Sequence, residues 1–395
     1  MNLDAPTIDY QLTAPPFGYH RLHPDRGMEF QLNRFAEWVG PSALDEVRTA
    51  AAGITSYDDW ISTFLGLAGT ARASGRVMAG AYYDRAADFF MTTEDPRREP
   101  ARARFLHDMR ELYQLQPVPV DYGHTTLPAY DLQPADPPRG TVVVFGGFDS
   151  YIEEMFPLLL TGATAGYRMV GFDGPGQGGA LEDSGLPMTP EWERPVRAVL
   201  DHFGLDDVTL LGISLGGGLA IRAAAFDPRV QRVVACDVLD DFLECLARQV
   251  GGITGLMRLL LAARARPVLN LGARVAAARK SLAAWGLRQG MHVTGSREPY
   301  EFLQAARRLS TRSISARVSA DALLLAGSDD HYVPLHQLYR QAAALTNARS
   351  VTTRVYTETE QAQNHCQKGN FGLALRNVFD WIDSTTFGQR GELRS

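Results

Sequence analysis

Three short stretches hold residues whose types and order could carry out nucleophilic acyl chemistry. Between an apolar run, VTLLGI, and an alanine-rich run, LAIRAAAF, the chain reads Gly212-Ile213-Ser214-Leu215-Gly216. A serine between glycines means little in a loop. Between a strand and a helix it is specific, because the sharp turn needs the small residues and holds the hydroxyl at the strand's carboxyl end. A helix starting at Leu215 points unbonded N–H groups at any oxyanion formed there. The bland alternative is a tight turn without chemistry. Phosphate binding fits poorly, since this stretch carries neither GxGxxG nor a GK pair followed by Ser or Thr.

A serine hydroxyl is a weak nucleophile and needs a histidine, itself oriented by a carboxylate. The strand–GxSxG–helix arrangement resembles that of the α/β-hydrolases, a resemblance that implies the chain order serine, then acid, then histidine. Of nine histidines, His20, His23, His107, His124 and His202 precede Ser214, and His292 falls in a helical insertion. His331 stands beside the candidate acids, where its own neighbours hold it, and His336 lies in the helix after Pro334. His365, in ETEQAQNHCQKGNFG, occupies a polar loop between the last strand and the last helix, from which a mobile imidazole can reach the serine. It is the expected base. The acid is expected in GSDDHYVP, just past the strand ALLLAG, where both Asp329 and Asp330 qualify; the stretch resembles the hydrolase pattern of Gly, two residues, Asp, then an apolar residue and Pro, which implies Asp330, with Asp329 capping the turn. A metal bound by Asp329, Asp330 and His331 is the alternative, but adjacent side chains point apart and no second cluster completes a shell. No metal and no cofactor is expected.

An oxyanion needs two donors. One should be the N–H of Leu215, the residue after the nucleophile. The other should come from Gly146-Gly147-Phe148-Asp149-Ser150, after the strand TVVVF, where glycines let the backbone come close to a substrate oxygen. The Phe148 amide is the first choice and Gly147 the next; a plain strand-end turn is the alternative.

The elements that must position these residues are legible as changes of texture. From about residue 28 to 115 the pattern is helical. GMEFQLNRFAEWVG is amphipathic, TSYDDWISTFLGLAG opens with a Thr/Ser cap and acids, and RVMAGAYYDRAADFF sets Met78, Tyr82, Ala86 and Phe89 on one face. No second copy of this pattern recurs at a 34-residue period, so a repeat array is not expected. PVPVDY and LPAYDLQP then alternate as antiparallel strands do. TVVVFGG, YRMVGFDG, VTLLGIS and QRVVACDV are near-continuous apolar runs with helical sequence between most of them, the mark of a parallel sheet covered on both faces. About 80 residues of helical pattern precede the last strands, ADALLLAG and SVTTRVYTE, too long for a connection and expected to form a lid. The expected organisation is a helical N-terminal segment over 1–115, an α/β core over 116–237, a lid over 238–318 and the rest of the core over 319–395.

Composition agrees with a soluble globular protein. Hydrophobic content of 45% with 21% charge is that of a packed domain, and a net charge of −6 gives no footprint of nucleic-acid binding. The three cysteines, Cys236, Cys245 and Cys366, show no CxxC spacing, which fits a reducing cytoplasm. The N-terminus has acids where a leader would have bases. The most apolar stretch is broken by Arg258, Arg264 and Arg266, so no membrane span and no membrane partner is expected. The apolar N-terminal helices could serve a homodimer.

The order GISLG, GSDDHYVP, NHCQ, together with GFDGPGQG at 171–178 and GGFDSYIEE at 146–154, resembles one branch of the α/β-hydrolases. That branch holds 2,6-dihydroxypseudooxynicotine hydrolase, the fermentation–respiration switch proteins and fungal polyketide-shortening hydrolases of pigment pathways. YYDRAADFF and SREPYEFLQAARRL look like its N-terminal and lid helices. The resemblance implies a serine hydrolase under a helical cap, acting on a small-molecule carbonyl substrate. Several members cleave carbon–carbon bonds of 1,3-dicarbonyl compounds or aryl ketones, and others cleave esters. It also implies an additional acid on the cap side in some members, for which Asp237 is offered against the reading of a strand-end turn residue. Glu153 and Glu154 are read as helix-start acids. The expected reaction is carbon–carbon cleavage of a β-diketone or polyketide-like ketone through an acyl-enzyme. A carboxylesterase or thioesterase, an acyl-transferring cyclase, and a non-enzymatic binding protein are the alternatives, in that order.

Overall fold

A computed structural model of the chain describes Leu12 and residues 15–279 and 281–392. Most of the N-terminal stretch read above for a leader therefore lies outside the described residues. The chain opens with helices α1 (Arg26–Val39), α2 (Leu44–Ala51), α3 (Tyr57–Ala73), α4 (Val77–Phe90) and α5 (Arg98–Tyr113). Strands β1 (Val118–Tyr122), β2 (Thr125–Leu132) and β3 (Thr141–Phe145) follow, then α6 (Phe156–Thr164), β4 (Arg168–Phe172), α7 (Gly178–Glu182) and α8 (Glu193–Phe203). Next come β5 (Val208–Ile213), α9 (Leu215–Ala224) and β6 (Val230–Cys236). The insertion contributes α10 (Phe242–Gln249), α11 (Thr254–Ala262), α12 (Arg266–Arg279), α13 (Ser281–Thr294) and α14 (Pro299–Arg308). The chain closes with β7 (Asp321–Gly327), α15 (His336–Ala344), β8 (Ser350–Tyr356) and α16 (Phe371–Glu392).

The eight strands form one sheet in the order β1-β2-β4-β3-β5-β6-β7-β8. β1 pairs antiparallel with β2 and β2 with β4, and every later pairing is parallel. This is the α/β-hydrolase architecture. Alternate residues of each strand serve opposite faces, as the side-chain period of two requires. Val142, Val144, Leu211 and Val234 join the core formed with the N-terminal helices, α6 and α16. Val143, Phe145, Leu210 and Val233 join the core formed with α8, α9, α15 and the insertion. The strand order reverses about β3, so the loops after β3 and β5 meet where doubly wound sheets bind ligands. Among the described residues, no helix is long and apolar enough to cross a membrane.

The helix read as one-faced, α4, is instead buried along its whole length from Met78 to Phe90. It lies between α1, α3 and α5 on one side and the loop after β3 on the other. Its polar residues are held by opposite charges: Asp84 by Arg72 and Arg104, each at 2.6 Å, and Arg85 by Asp88 at 3.0 Å and Glu154 at 3.2 Å. Glu153 and Glu154 stand, as expected, in the first turn of a short 3-10 helix (Ile152–Met155) that leads into α6, and both are buried there. Glu153 receives Arg110 and the Tyr130 hydroxyl, each at 2.7 Å, and Glu154 receives Arg34 at 2.6 Å as well as Arg85. Apolar side chains of the N-terminal helices thus turn into the molecule's own core, and guanidinium–carboxylate pairs tie that layer to the sheet.

A buried pair broken from one side leaves an uncompensated charge, which costs about 3–5 kcal/mol. Glu154→Ala, leaving both Arg34 and Arg85 without their shared carboxylate, is expected to lose stability on that scale in urea unfolding.

Candidate active site

β5 runs straight into Ser214, which adopts φ 60°, ψ −125° before α9 begins at Leu215. A side chain at positive φ is strained, and the surroundings hold it there. A Cβ on Gly212 would stand 2.0 Å from the Gly216 carbonyl oxygen, and one on Gly216 would stand 2.4 Å from that of Gly146. The Ser214 N–H donates to the Cys236 carbonyl at 2.5 Å, tying the turn to the end of β6.

Ser214 Oγ lies 2.8 Å from His365 Nε2. On the other side of the ring, Nδ1 lies 2.7 Å from Asp330 Oδ2 and 2.9 Å from Asp237 Oδ2. With two carboxylates facing it, Nδ1 carries the proton, which leaves the Nε2 lone pair to accept the serine hydroxyl. The Asp330 Oδ1 accepts the N–H groups of Tyr332 at 2.7 Å and Val333 at 2.9 Å. Burial alone would raise the Asp330 carboxyl, but the charge and hydrogen bond of His365 overcome it and hold the group well below the usual range. Burial also works against a charged His365, and Asp330 outweighs it, so the ring is a stronger base than a free imidazole. His365 is buried, in a short 3-10 turn, with three side chains fixed on its two nitrogens.

Two expectations are corrected here. Asp237 is not on the substrate side: it sits fully buried behind the imidazole, where it also accepts the Cys366 N–H at 2.7 Å and Gln367 Nε2 at 2.6 Å. Burial first and then the neighbouring Asp330 charge push its carboxyl up to about 6. Asp329 does not cap the turn, since Asp330 does. Its exposed side chain pairs with Arg26 of α1 at 2.8 Å. His331 packs on Tyr332, with ring centroids 3.8 Å apart. Burial pushes it down to about 3. Asp329, Asp330 and His331 therefore face three directions. His336 pairs with Glu244 at 2.9 Å, and His292 with Glu182 at 2.8 Å. A different trio, Asp237, His365 and Cys366, does converge. It fits a cation poorly, because burial keeps the Cys366 thiol protonated and Nδ1 of His365 already donates to carboxylates.

The loop after β3 packs against the serine turn: a Cβ on Gly147 would stand 2.9 Å from the Leu215 nitrogen. Leu215 opens α9, so its N–H has no carbonyl of its own helix to bond. Phe148 lines the same cavity as Ser214 and Leu215. What fixes this loop is Gln177, whose Nε2 donates to the Gly146 carbonyl at 2.6 Å and the Gly147 carbonyl at 3.2 Å. Asp173 accepts the N–H groups of Ile152 at 2.9 Å and Gly179 at 3.1 Å. DGPGQG thus serves as a brace under the loop after β3, a role its spelling alone does not reveal.

Ser214 opens into a cavity of about 640 Å³. Its walls are mainly apolar, with Phe30 from α1, Phe148, Leu239, Phe242, Trp285 from α13 and Tyr332 among them. Both helical segments expected to cap the site contribute to it. In chemical terms the arrangement offers an activated hydroxyl, a base with a fixed tautomer, and backbone donors, all at the edge of a chamber for a bulky apolar compound.

The sequence matches the profile of a protein family described as alpha/beta hydrolase fold over residues 144–359. It is 27% identical to Hydrolase LUC6 of Fusarium sp, across 95% of this chain and 100% of that protein. It is also 27% identical to 20-hydroxy-prefusarin hydrolase FUS2 of Gibberella moniliformis, across 62% of this chain and 61% of that one. Among solved structures, the crystal structure of the 2,6-dihydroxy-pseudo-oxynicotine hydrolase aligns with a TM-score of 0.58 at 20% identity, covering 82% of this chain and 88% of that chain. At that identity the likeness concerns the fold.

Two substitutions probe this geometry. Gly147→Ala, which crowds the Leu215 N–H, is expected to lower kcat about 10²- to 10³-fold. Asp237→Asn removes one of the two charges that stabilise the imidazolium. The acidic limb of the kcat/KM–pH profile, where His365 becomes protonated and can no longer take the serine proton, should then move to lower pH by about one unit.

Proposed function

The chain belongs to the alpha/beta hydrolase fold family, and on that premise we propose that it is a serine hydrolase that cleaves a carbon–carbon bond of a β-diketone or polyketide-like aromatic ketone. The observation that carries the reading is the relay from Ser214 through His365 to Asp330 at the wall of a large, mainly apolar cavity.

His365 Nε2 takes the Ser214 proton as Oγ attacks one carbonyl carbon of the substrate. The N–H groups of Leu215 and Phe148 hold the resulting oxyanion. Asp330 keeps the imidazole in the right tautomer and stabilises its charged form. When the tetrahedral adduct collapses, the bond to the neighbouring carbon breaks and its electron pair leaves as an enolate, which the second carbonyl stabilises. The imidazolium protonates that carbon, giving a methyl or methylene ketone. Water, deprotonated by His365, then attacks the acyl-enzyme and releases a carboxylic acid and free Ser214. One water is consumed for each bond cleaved. The scarcity of polar groups on the cavity wall supports a substrate recognised by its carbon skeleton, and the name of the relative that hydrolyses 20-hydroxy-prefusarin points to a specific small molecule rather than a polymer.

Ser214→Ala is expected to abolish turnover while circular dichroism and Tm stay near those of the parent. The parent should convert aromatic 1,3-diketones to an acid and a ketone, with one oxygen from labelled water in the acid. Rapid hydrolysis of short p-nitrophenyl esters with no action on diketones would overturn carbon–carbon cleavage, and turnover by folded Ser214→Ala would overturn the serine mechanism itself.

A further inference from the structure

Large apolar side chains left in solvent are concentrated at one place on this molecule. Ile253, Leu256, Leu259, Val268, Leu271 and Val275 lie on or just before α11 and α12, whereas only Tyr339 and Val351 are so exposed elsewhere among the described residues. Leu259 is 65% exposed and Leu271 64%, so neither is covered by its own fold. On α12, Val268, Leu271 and Val275 fall three and four residues apart and share one face, while Leu269 on another face is buried.

Charge is equally one-sided there. From Cys245 to Arg297 the chain has no acidic residue, although its net charge is −6. Arg258 pairs with Asp241 and Arg266 with Glu298. Arg264, Arg274 and Arg279 are exposed; among the described residues Arg264 and Arg279 have no ion-pair partner, and Arg274 acts on Glu298 only through its charge, without a close contact. The aliphatic face is also part of the site's own roof: Ile253, Leu256, Val268 and Val275 border the cavity that holds Ser214.

We infer that α11 and α12 form a docking surface for an anionic lipid membrane, lying in its interface with the aliphatic side chains among the acyl chains. Helices with an aliphatic face, flanking arginines and no carboxylates suit that boundary, because the guanidiniums meet lipid phosphates while the apolar face leaves water. An apolar substrate dissolved in the bilayer then reaches the cavity between the same helices. A second copy of this chain fits less well. A two-fold contact sets each patch against itself, bringing Arg264, Arg274 and Arg279 toward their counterparts with no acid in the segment to offset them. An acidic protein would answer the arginines but not the aliphatic face or its continuity with the cavity.

The test is flotation of the full-length protein with phosphatidylglycerol–phosphatidylcholine vesicles and with phosphatidylcholine vesicles alone. Binding to the anionic vesicles is expected to exceed the other by at least about tenfold and to weaken in about 1 M salt. The double variant Leu259→Asp/Leu271→Asp, at positions outside the cavity wall, should lose flotation and keep the parent's turnover of soluble substrate. Ser214→Ala should float like the parent, so failure of the docking and failure of the hydrolase reading are seen separately. Three outcomes would overturn the inference: equal binding to both vesicles, a dimer in light scattering that Leu259→Asp/Leu271→Asp dissociates, or binding to polyglutamate without binding to vesicles.

Discussion

The structure depends on one backbone constraint, the turn that carries Ser214 at positive φ between β5 and α9. Such a turn stands only if three chain segments approach it more closely than side chains allow. The Gly216 carbonyl comes within the space of a Gly212 Cβ, and the Gly146 carbonyl within that of a Gly216 Cβ. The same crowding that strains the serine brings the loop after β3 against the Leu215 N–H. Hydroxyl and backbone donors are thereby set in one act, before any side chain of the site is placed. Because β3 and β5 are neighbours at the point where the strand order reverses, the sheet itself delivers these two loops together.

The remaining parts answer to burial. A histidine enclosed at the wall of an apolar chamber is held charged or neutral by its partners, not by water. His365 has two carboxylates on Nδ1, and their electrostatics diverge as those of close like charges must. Asp330 stays ionised on the strength of two backbone N–H groups and the imidazole. Asp237, with the Asp330 charge beside it, is pushed upward. The division of labour follows: Asp330 is the fixed anion, and Asp237 adjusts the basicity of the ring from behind. Beyond the site, the N-terminal helices are bound by a comparable logic, with Arg34 and Arg85 converging on Glu154 below the loop that ends at Ser150. That seam makes a helical segment far away in sequence into a wall of the cavity, through Phe30.

Much of this was legible from local patterns. Continuous apolar runs announce a covered parallel sheet, the glycines around Ser214 announce the turn, and chain order separates His365 from His331 although the latter stands next to the acids. Likewise Asp330, preferred over Asp329 for its likeness to a hydrolase pattern, is the one of the two that meets His365 Nδ1. Asp237 was visible as a strand-end acid, but its side of the imidazole was not, because that depends on how a loop 129 positions later folds back on β6. Gln177 could be seen only as part of a motif; its contact with Gly146 spans 31 positions. The burial of α4 was hidden for another reason. Asp84, Arg85 and Asp88 read as solvated residues until their partners, on α3, α5 and the turn after β3, are known.

The core and α11–α12 differ in how completely they satisfy themselves. Within the core, the central strands β3 to β7 alternate between two packed faces, and the charges of α4 find partners a few ångströms away. On α11 and α12, aliphatic side chains and guanidiniums are presented together to solvent, in a segment without a single carboxylate between Glu244 and Glu298. An ordinary solvated helix face carries both signs of charge and few large aliphatics. Neither hydrophobic collapse nor solubility calls for the pattern found here, since burying Leu261 and Leu269 already anchors these helices to the rest of the molecule. The exposed residues are surplus to the fold. Four of them, Ile253, Leu256, Val268 and Val275, also border the Ser214 cavity, so that one segment supplies both this exposed surface and part of the cavity wall.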